Sequence, residues 1–572
     1  MITDNEIAKL KKTERRIKIC KFFVLGIFLA IIVYLFLIQV TDIKNYKARA
    51  QAQRFSKNFI MRGEILDRNG IKLASDKVSY NLYAHKEYFD HTTQELAEKI
   101  SPVIGVPVQK IKKALDKGSV VTLIKKDIDR ATANEIKKLE LRELSLDKKN
   151  ERVYPQEALA AHVLGYYNPD ADIAAGVEKT AADKLVATEK NVEYEKTPTG
   201  DIIYDIETDP LQATAPVTGQ TIELTIDSAI QHICETELNK VVGFRSAQRG
   251  AVIVMNPKNG EILAYAVFPS YNPNNYRKAK DVNIKNWTLT DVYPPGSTFK
   301  TLTVASALEL GVVKPNSTVL DTGKMKIGSW TVSNYDYHKN PYPGRITLEY
   351  LLEHSSNVGS ANLAFMMKPA DFYRVLKNFG IGTKTGIDLP GESSGLLPNP
   401  KKWDISRHAS MGYGYGASVT AIQMISAVSA IANNGVRVTP HVIKYSPEEA
   451  ETKIKSTQVL RPEVAKAVAK ILTNSTARSK TAVNIPEYNV AAKTGTSRKP
   501  IEHGKGYGAG LYASTIGFLP SQDPKLLIYV VVDCPSASAG PVWGSTVAAP
   551  IFREVAMQSA RILNIPPDKP AK

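Results

Sequence analysis

Nineteen consecutive residues, Phe22–Val40 (FFVLGIFLAIIVYLFLIQV), carry no charged side chain. Coiled as a helix they reach about 28 Å, close to the hydrocarbon thickness of a bilayer. The run is longer than the roughly 7–15 apolar residues of a secretory signal. An Ala-x-Ala sequence exists at Ala48–Ala50, but it lies well past the run. The segment therefore reads as a retained single-pass membrane anchor. Lys9, Lys11, Lys12, Arg15, Arg16, Lys18 and Lys21 precede it; Lys44, Lys47, Arg49, Arg54 and Lys57 follow. The tighter N-terminal cluster favours a cytoplasmic N-terminus, which leaves about 530 residues outside the cytoplasm.

The same cluster explains much of the charge. The chain carries a formal +17, and residues 1–62 hold 13 Lys/Arg against 4 Asp/Glu. Basic charge that brackets an apolar run points to a membrane surface, not to nucleic acid. The 572 residues are too many for one ordinary domain, and 43% hydrophobic content is enough for a sizeable core. Three cysteines exclude a disulfide framework; Cys234 and Cys534 read as two buried thiols, with a single bridge left open. The nine histidines show no ligand spacing, so no metal site is expected.

The pattern divides the chain into a tail (1–21), the anchor (22–40), a mixed region (41–215), a larger domain (216–565) and a short tail (566–572). In the mixed region helices are predicted at Thr92–Ile100 and Val108–Lys117, Lys137–Arg152 reads as a solvated charged stretch, and Thr197–Thr218 reads as a linker. Beyond Gln220 come a short strand (Thr221–Ile226), a helix from Ser228 and a hairpin (Ala251–Met255 and Glu261–Phe268). A helix-rich middle follows, then strands at Val490–Thr496, Tyr512–Phe518 and Leu526–Val532 and a helix at Thr546–Leu563. This order predicts an α+β fold, an antiparallel sheet with helices on both sides.

The chemistry concentrates in Pro294-Pro-Gly-Ser297-Thr-Phe-Lys300. Pro and Gly make a turn, Ser297 stands where a helix begins and Gly311 where it ends. Positions i and i+3 share a face, so Lys300 is expected beside the Ser297 hydroxyl. A serine needs an adjacent base, and a lysine serves once burial and a neighbouring cation lower its pKa from ~10.4. Ser-x-x-Lys alone is weak: Ser145-Leu-Asp-Lys148 also fits, in a charged run with no turn before it. The order of three motifs adds weight. Ser355-Ser356-Asn357 follows Lys300, and Lys493-Thr494-Gly495-Thr496 ends a predicted strand whose edge can line a site. Lys384-Thr-Gly386 and the Ser-x-Asn matches at Ser79 and Ser270 are set aside, the first for its turn-rich loop, the others because they precede the nucleophile.

This ordered set resembles that of penicillin-binding proteins and serine β-lactamases. Arg62-Gly63 through Gly70, Arg152-Val-Tyr154-Pro155, His162, Gly165 and Gly176-Val-Glu178 are similar to the pedestal domain of class B penicillin-binding proteins. Tyr413-Gly-Tyr-Gly-Ala-Ser-Val-Thr420 and Ser514-Thr-Ile-Gly517-Phe-Leu-Pro520 resemble their catalytic domain, and the likeness spans roughly residues 20 to 560. Pro294 and Gln156-Glu157 depart from the usual pattern without touching a catalytic position. The resemblance implies a transmembrane helix, an elongated mixed α/β pedestal of dimerisation type over 41–215, and a β-lactamase-like transpeptidase domain.

It further implies a D,D-transpeptidase that cross-links peptidoglycan stem peptides, is inhibited by β-lactams and needs no cofactor. Ser297, Lys300, Ser355 and Asn357 would be catalytic, and Lys493, Thr494, Gly495 and Thr496 substrate-binding. Expected partners are the D-Ala-D-Ala donor, an amine acceptor, the membrane, a polytopic glycosyltransferase and other division proteins, but no nucleic acid. The compact length, the GIDLPGESSG segment and the helix-bound C-terminus look like the septal type. An elongation enzyme, a D,D-carboxypeptidase, a β-lactamase relative and a non-catalytic division scaffold are the alternatives.

Overall fold

The computed structural model describes residues 4–37, 55–57, 60–169, 171–187, 193–196, 202–203, 217–328, 330–501 and 506–570. Residues 38–40 of the apolar run, Ala48–Ala50 and most of the expected linker at 197–218 lie outside the described residues. Helix α1, Asp4–Phe36, contains one span long and apolar enough to cross a membrane, Lys11–Phe36. By contacts the chain forms two compact units: 1–61 with 78–150 and 188–218, and 62–77 with 151–187 and 219–572. Segments 62–77 and 151–187, within the sequence range expected to be pedestal, thus pack with the C-terminal portion.

The first unit packs helices Thr93–Ile104, Val108–Lys117 and Arg130–Lys138 on a strand pair through Leu96, Ile100, Ile111, Leu115, Leu82 and Ile128. Thr92 caps the first helix reciprocally with Glu95, which starts it one residue later than the periodicity suggests. The expectation of a solvated stretch at 137–152 fails at two charges. Glu143 is buried because His91 Nδ1 lies 2.5 Å from its carboxylate. Arg152, in the second unit, is buried because it meets Glu178 at 2.6 Å and Asp76 at 3.0 Å. Arg62 Nε adds a bond to Glu178 at 3.1 Å, and the Tyr154 hydroxyl donates to Glu178 at 3.2 Å. The motifs that resembled a pedestal entry are thus one buried ionic cluster, in which each charge has a partner.

The second unit is built on a five-stranded antiparallel sheet: β1 (Arg249–Met255), β2 (Ile262–Phe268), β3 (Ala491–Pro500), β4 (Tyr507–Leu519) and β5 (Leu526–Asp533), in the order β2-β1-β5-β4-β3. Both faces are covered, so the inner strand β5 reads as a continuous apolar run (LLIYVVV) without polar alternation. On one face Val252, Val254, Ile528 and Val530 meet helix α2 (Ser228–Phe244) through Ile230, Cys234, Leu238 and Val242, and the C-terminal helix through Val547, Ile551 and Phe552. On the other face Ile253, Tyr265, Ile516 and Tyr529 pack in the cluster that holds helices α3 (Lys300–Glu309), α4 (Asn357–Phe365) and α5 (Ala421–Ala432). Every residue of α5 is buried, as expected of a helix apolar all round. The C-terminal helix, α6, runs Gly544–Ile562. The predicted α+β layering is observed. The small ribbons Thr318–Asp321 with Gly344–Thr347 and Lys324–Ile327 with Trp330–Ser333 interrupt the stretch read as helix-rich; the second carries the alternation and Gly-Ser sequence of a hairpin, which that reading passed over. Cys234 is a buried free thiol; Cys534 is free but only half-buried, contrary to expectation.

Candidate active site

The Pro-Pro-Gly sequence before Ser297 forms a tight entry into a 3-10 turn, Gly296–Phe299, which runs directly into α3. Gly296 has φ +57, and a Cβ there would lie 2.8 Å from the Ser497 Cβ, so glycine is required by both conformation and space. Strand β3 lies against this turn. The Ser497 hydroxyl donates to the Pro294 carbonyl at 2.7 Å, and a side chain at Gly495 would meet Thr298 Cγ2 at 2.9 Å. The YGYG segment closes the other side, with the Gly296 N–H donating to the Gly414 carbonyl at 3.0 Å. β3 is an edge strand of the sheet, and its outer edge is held at Ala492 by Thr476 Oγ1 and at Arg498 by the Tyr415 hydroxyl.

Lys300 is fully buried. Its Nζ donates to the Ser355 carbonyl, to Asn357 Oδ1 at 2.7 Å and to Ser355 Oγ at 3.2 Å. Lys493, on β3, donates to the same Ser355 Oγ at 3.1 Å and to the Thr494 carbonyl at 2.9 Å. One serine hydroxyl thus sits between two lysine nitrogens from elements far apart in sequence. Burial pushes Lys300 well below the usual lysine range; the charge of Lys493 acts the same way and Asp321 opposes both. Burial alone brings Lys493 down to about 7.

Lys300 was expected beside the Ser297 hydroxyl. Its nitrogen donates to the carbonyl and amide oxygens of the Ser355–Asn357 turn and to the Ser355 hydroxyl. The half-buried Ser297 side chain makes no hydrogen bond among the described residues. Such bonds are often formed only when substrate arrives. Thr494 and Thr496 are half-buried on β3, and Thr496 Oγ1 accepts the N–H of Gly544 at 3.0 Å, which ties it to the start of α6 and leaves its O–H to donate. The three motifs therefore converge, while the rejected matches serve elsewhere. Ser145 Oγ lies 2.7 Å from His85 Nε2, and both the amide and the hydroxyl of Thr385 donate to Glu392 at 2.6 Å.

Two further residues complete the site and carry no motif. Asp321 accepts the Ser356 hydroxyl at 2.6 Å, and Asn334 accepts the Asn357 N–H at 2.9 Å. Asp321 precedes its partner by 35 residues, too far for any local pattern to mark it.

Residues 250–557 match the family described as "Penicillin binding protein transpeptidase domain", and residues 59–224 match "Penicillin-binding Protein dimerisation domain". The chain belongs to the class B penicillin-binding proteins. This penicillin-binding protein is 31% identical over 549 residues to the probable peptidoglycan D,D-transpeptidase PenA of Neisseria gonorrhoeae, covering 95% of this chain and 90% of PenA. It is 30% identical to the peptidoglycan D,D-transpeptidase FtsI of Escherichia coli, covering 89% and 84%. The crystal structure of penicillin binding protein 2X from Streptococcus thermophilus superposes with a TM-score of 0.73 over 90% of this chain and 81% of that one, at 23% identity, so the fold is shared.

Proposed function

We propose that this penicillin-binding protein is a monofunctional peptidoglycan D,D-transpeptidase of the septal type. It is anchored once in the bacterial cytoplasmic membrane, with its N-terminus in the cytoplasm and its catalytic domain outside. Ser297 Oγ attacks the carbonyl between the two terminal D-alanines of a stem peptide, and neutral Lys300 takes its proton. The Ser297 and Thr496 N–H groups hold the oxyanion, each such donor being worth about 3 kcal/mol in the transition state. Ser355 passes a proton to the departing amine, and Asn357 orients the substrate amide. Lys493, Thr494 and Thr496 hold the terminal carboxylate, and Gly495 lets the strand come close to the nucleophile turn. D-alanine leaves, the amine of a neighbouring stem takes the acyl group, and a cross-link forms. The observation that carries this reading is the Ser355 hydroxyl held by Lys300 at 3.2 Å and Lys493 at 3.1 Å, a ready path from base to leaving group.

The septal assignment draws on the GIDLPGESSG loop and the 30% identity to FtsI. A polytopic glycosyltransferase in the same membrane is the inferred partner. A fluorescent penicillin should add one mass to the wild-type chain and none to Ser297→Ala; equal labelling of both would remove the nucleophile assignment. Depletion in the host should give filaments, whereas rounded cells would transfer the protein to elongation.

A further inference from the structure

Ser355 adopts φ +53, a left-handed conformation that is strained for a non-glycine residue and persists only where the surroundings over-determine it. The residue that follows it, Ser356, donates to a buried acid on a different element. We propose that Asp321 is a positioning residue of the acyl-transfer site: its carboxylate fixes the Ser355–Asn357 turn and thereby the place where Lys300 and Ser355 meet the nucleophile. The proposal rests on the transpeptidase reading of this site.

Asp321 ends the strand Thr318–Asp321 and is wholly buried. It accepts four hydrogen bonds, from Ser356 Oγ at 2.6 Å, from Asn334 Nδ2 at 3.0 and 2.9 Å to its two oxygens, and from the Gly323 N–H at 2.8 Å. Asn334, so oriented, presents Oδ1 to the N–H groups of Asn357 at 2.9 Å and Val358 at 3.1 Å, the first amides of α4. Ser356 in turn caps α4 by accepting the Gly359 N–H at 2.8 Å. The turn is therefore gripped at its middle side chain and at the amides that follow. The atoms that receive Lys300, the Ser355 carbonyl and Asn357 Oδ1, belong to the residues on either side of Ser356. Asp321 touches no reacting atom and acts through this turn.

Its charge is a second route of action. Among the described residues the charged groups facing Lys300 are Lys493 from β3 and Asp321; α3 and α4 contribute none. Asp321 itself faces Lys300 and the Tyr350 phenol of the helix Leu348–Glu353. The carboxylate holds the Lys300 proton more firmly, opposing burial and Lys493. It does not act in this way on Lys493.

The test is the second-order rate of acylation of the detergent-solubilised full chain by a fluorescent penicillin, followed from acid to alkaline pH. Asp321→Asn should lower the rate about tenfold or more, the loss expected for a buried charged hydrogen-bond partner. It should also move the acid limb to lower pH, because the anion that favours protonated Lys300 is gone. Ser356→Ala keeps the charge and removes only the link to the turn, at the modest cost of a helix cap. It should lower the rate and leave the limb in place. An Asp321→Asn chain whose rate falls without any movement of the limb, or does not fall, overturns the proposal. If that chain does not fold, Ser356→Ala decides, and an unchanged rate overturns it. A wild-type chain that is not acylated at any pH would instead sink the transpeptidase reading.

Discussion

Replacing Gly544 by alanine should cripple acylation, although this residue contacts no substrate atom in the proposed mechanism. Gly544 opens α6 against the catalytic strand, and a Cβ built there lies 2.3 Å from the Gly495 carbonyl oxygen and 2.5 Å from that of Ser514. Carbon rests about 3.3 Å or more from such an oxygen, so helix and strand must part by about 1 Å. Both obstacles are main chain and cannot rotate away. The same movement stretches the bond from the Gly544 N–H to Thr496 Oγ1 and releases the hydroxyl proposed to grip the substrate carboxylate. A displacement of about 1 Å can cost up to ~100-fold in rate, and overpacking of this kind costs about 1–3 kcal/mol in stability. The assay is the acylation rate with fluorescent penicillin, paired with urea unfolding. Gly243→Ala is the control: this helical residue is exposed, has an ordinary φ, and an added Cβ meets nothing within 4 Å. It should gain about 0.5–1 kcal/mol and leave the rate alone. A Gly544→Ala chain that acylates within about twofold of wild type would refute the reasoning.

Two other outcomes follow from the buried charges. Glu178→Gln leaves Arg152 with Asp76 as its remaining carboxylate and Arg62 without its ion-pair partner, and should cost about 3–5 kcal/mol by urea midpoint; a loss below about 1 kcal/mol would mean the cluster is not a stability element. Lys493, with its pKa near 7, is cationic below neutrality and neutral above it. KM for a carboxylate-bearing donor peptide should therefore rise above neutral pH, and Lys493→Met should raise it roughly 10-fold or more and abolish that pH dependence. A variant whose KM still climbs with pH would assign the titration to another group.

Much of this arrangement is legible along the chain because it is local. Turn chemistry marks Pro294–Gly296, apolar runs mark β5 and α5, and an uncharged stretch marks α1. The order of the three motifs singles out segments that meet at Lys300, Ser355 and Lys493. Sequence failed where a charge finds its partner across the fold. The run around Arg152 looks solvated until Glu178 and Asp76 are brought to it. The i,i+3 spacing shows that Lys300 can face Ser297, but not that the Ser355 carbonyl and Asn357 also take hydrogen bonds from it. Asp321 looks like nothing at all.

The sequence by itself determined the apolar span, the strands of the main sheet, the helices α2, α5 and α6, and which residue types suit acyl-transfer chemistry. These depend on periodicity and residue type within a few turns or strands. The tertiary structure alone decided which buried groups share a hydrogen bond and how far each lysine is stripped of water. Those quantities depend on distances of a few ångströms between residues tens to hundreds of positions apart, and no local pattern encodes them.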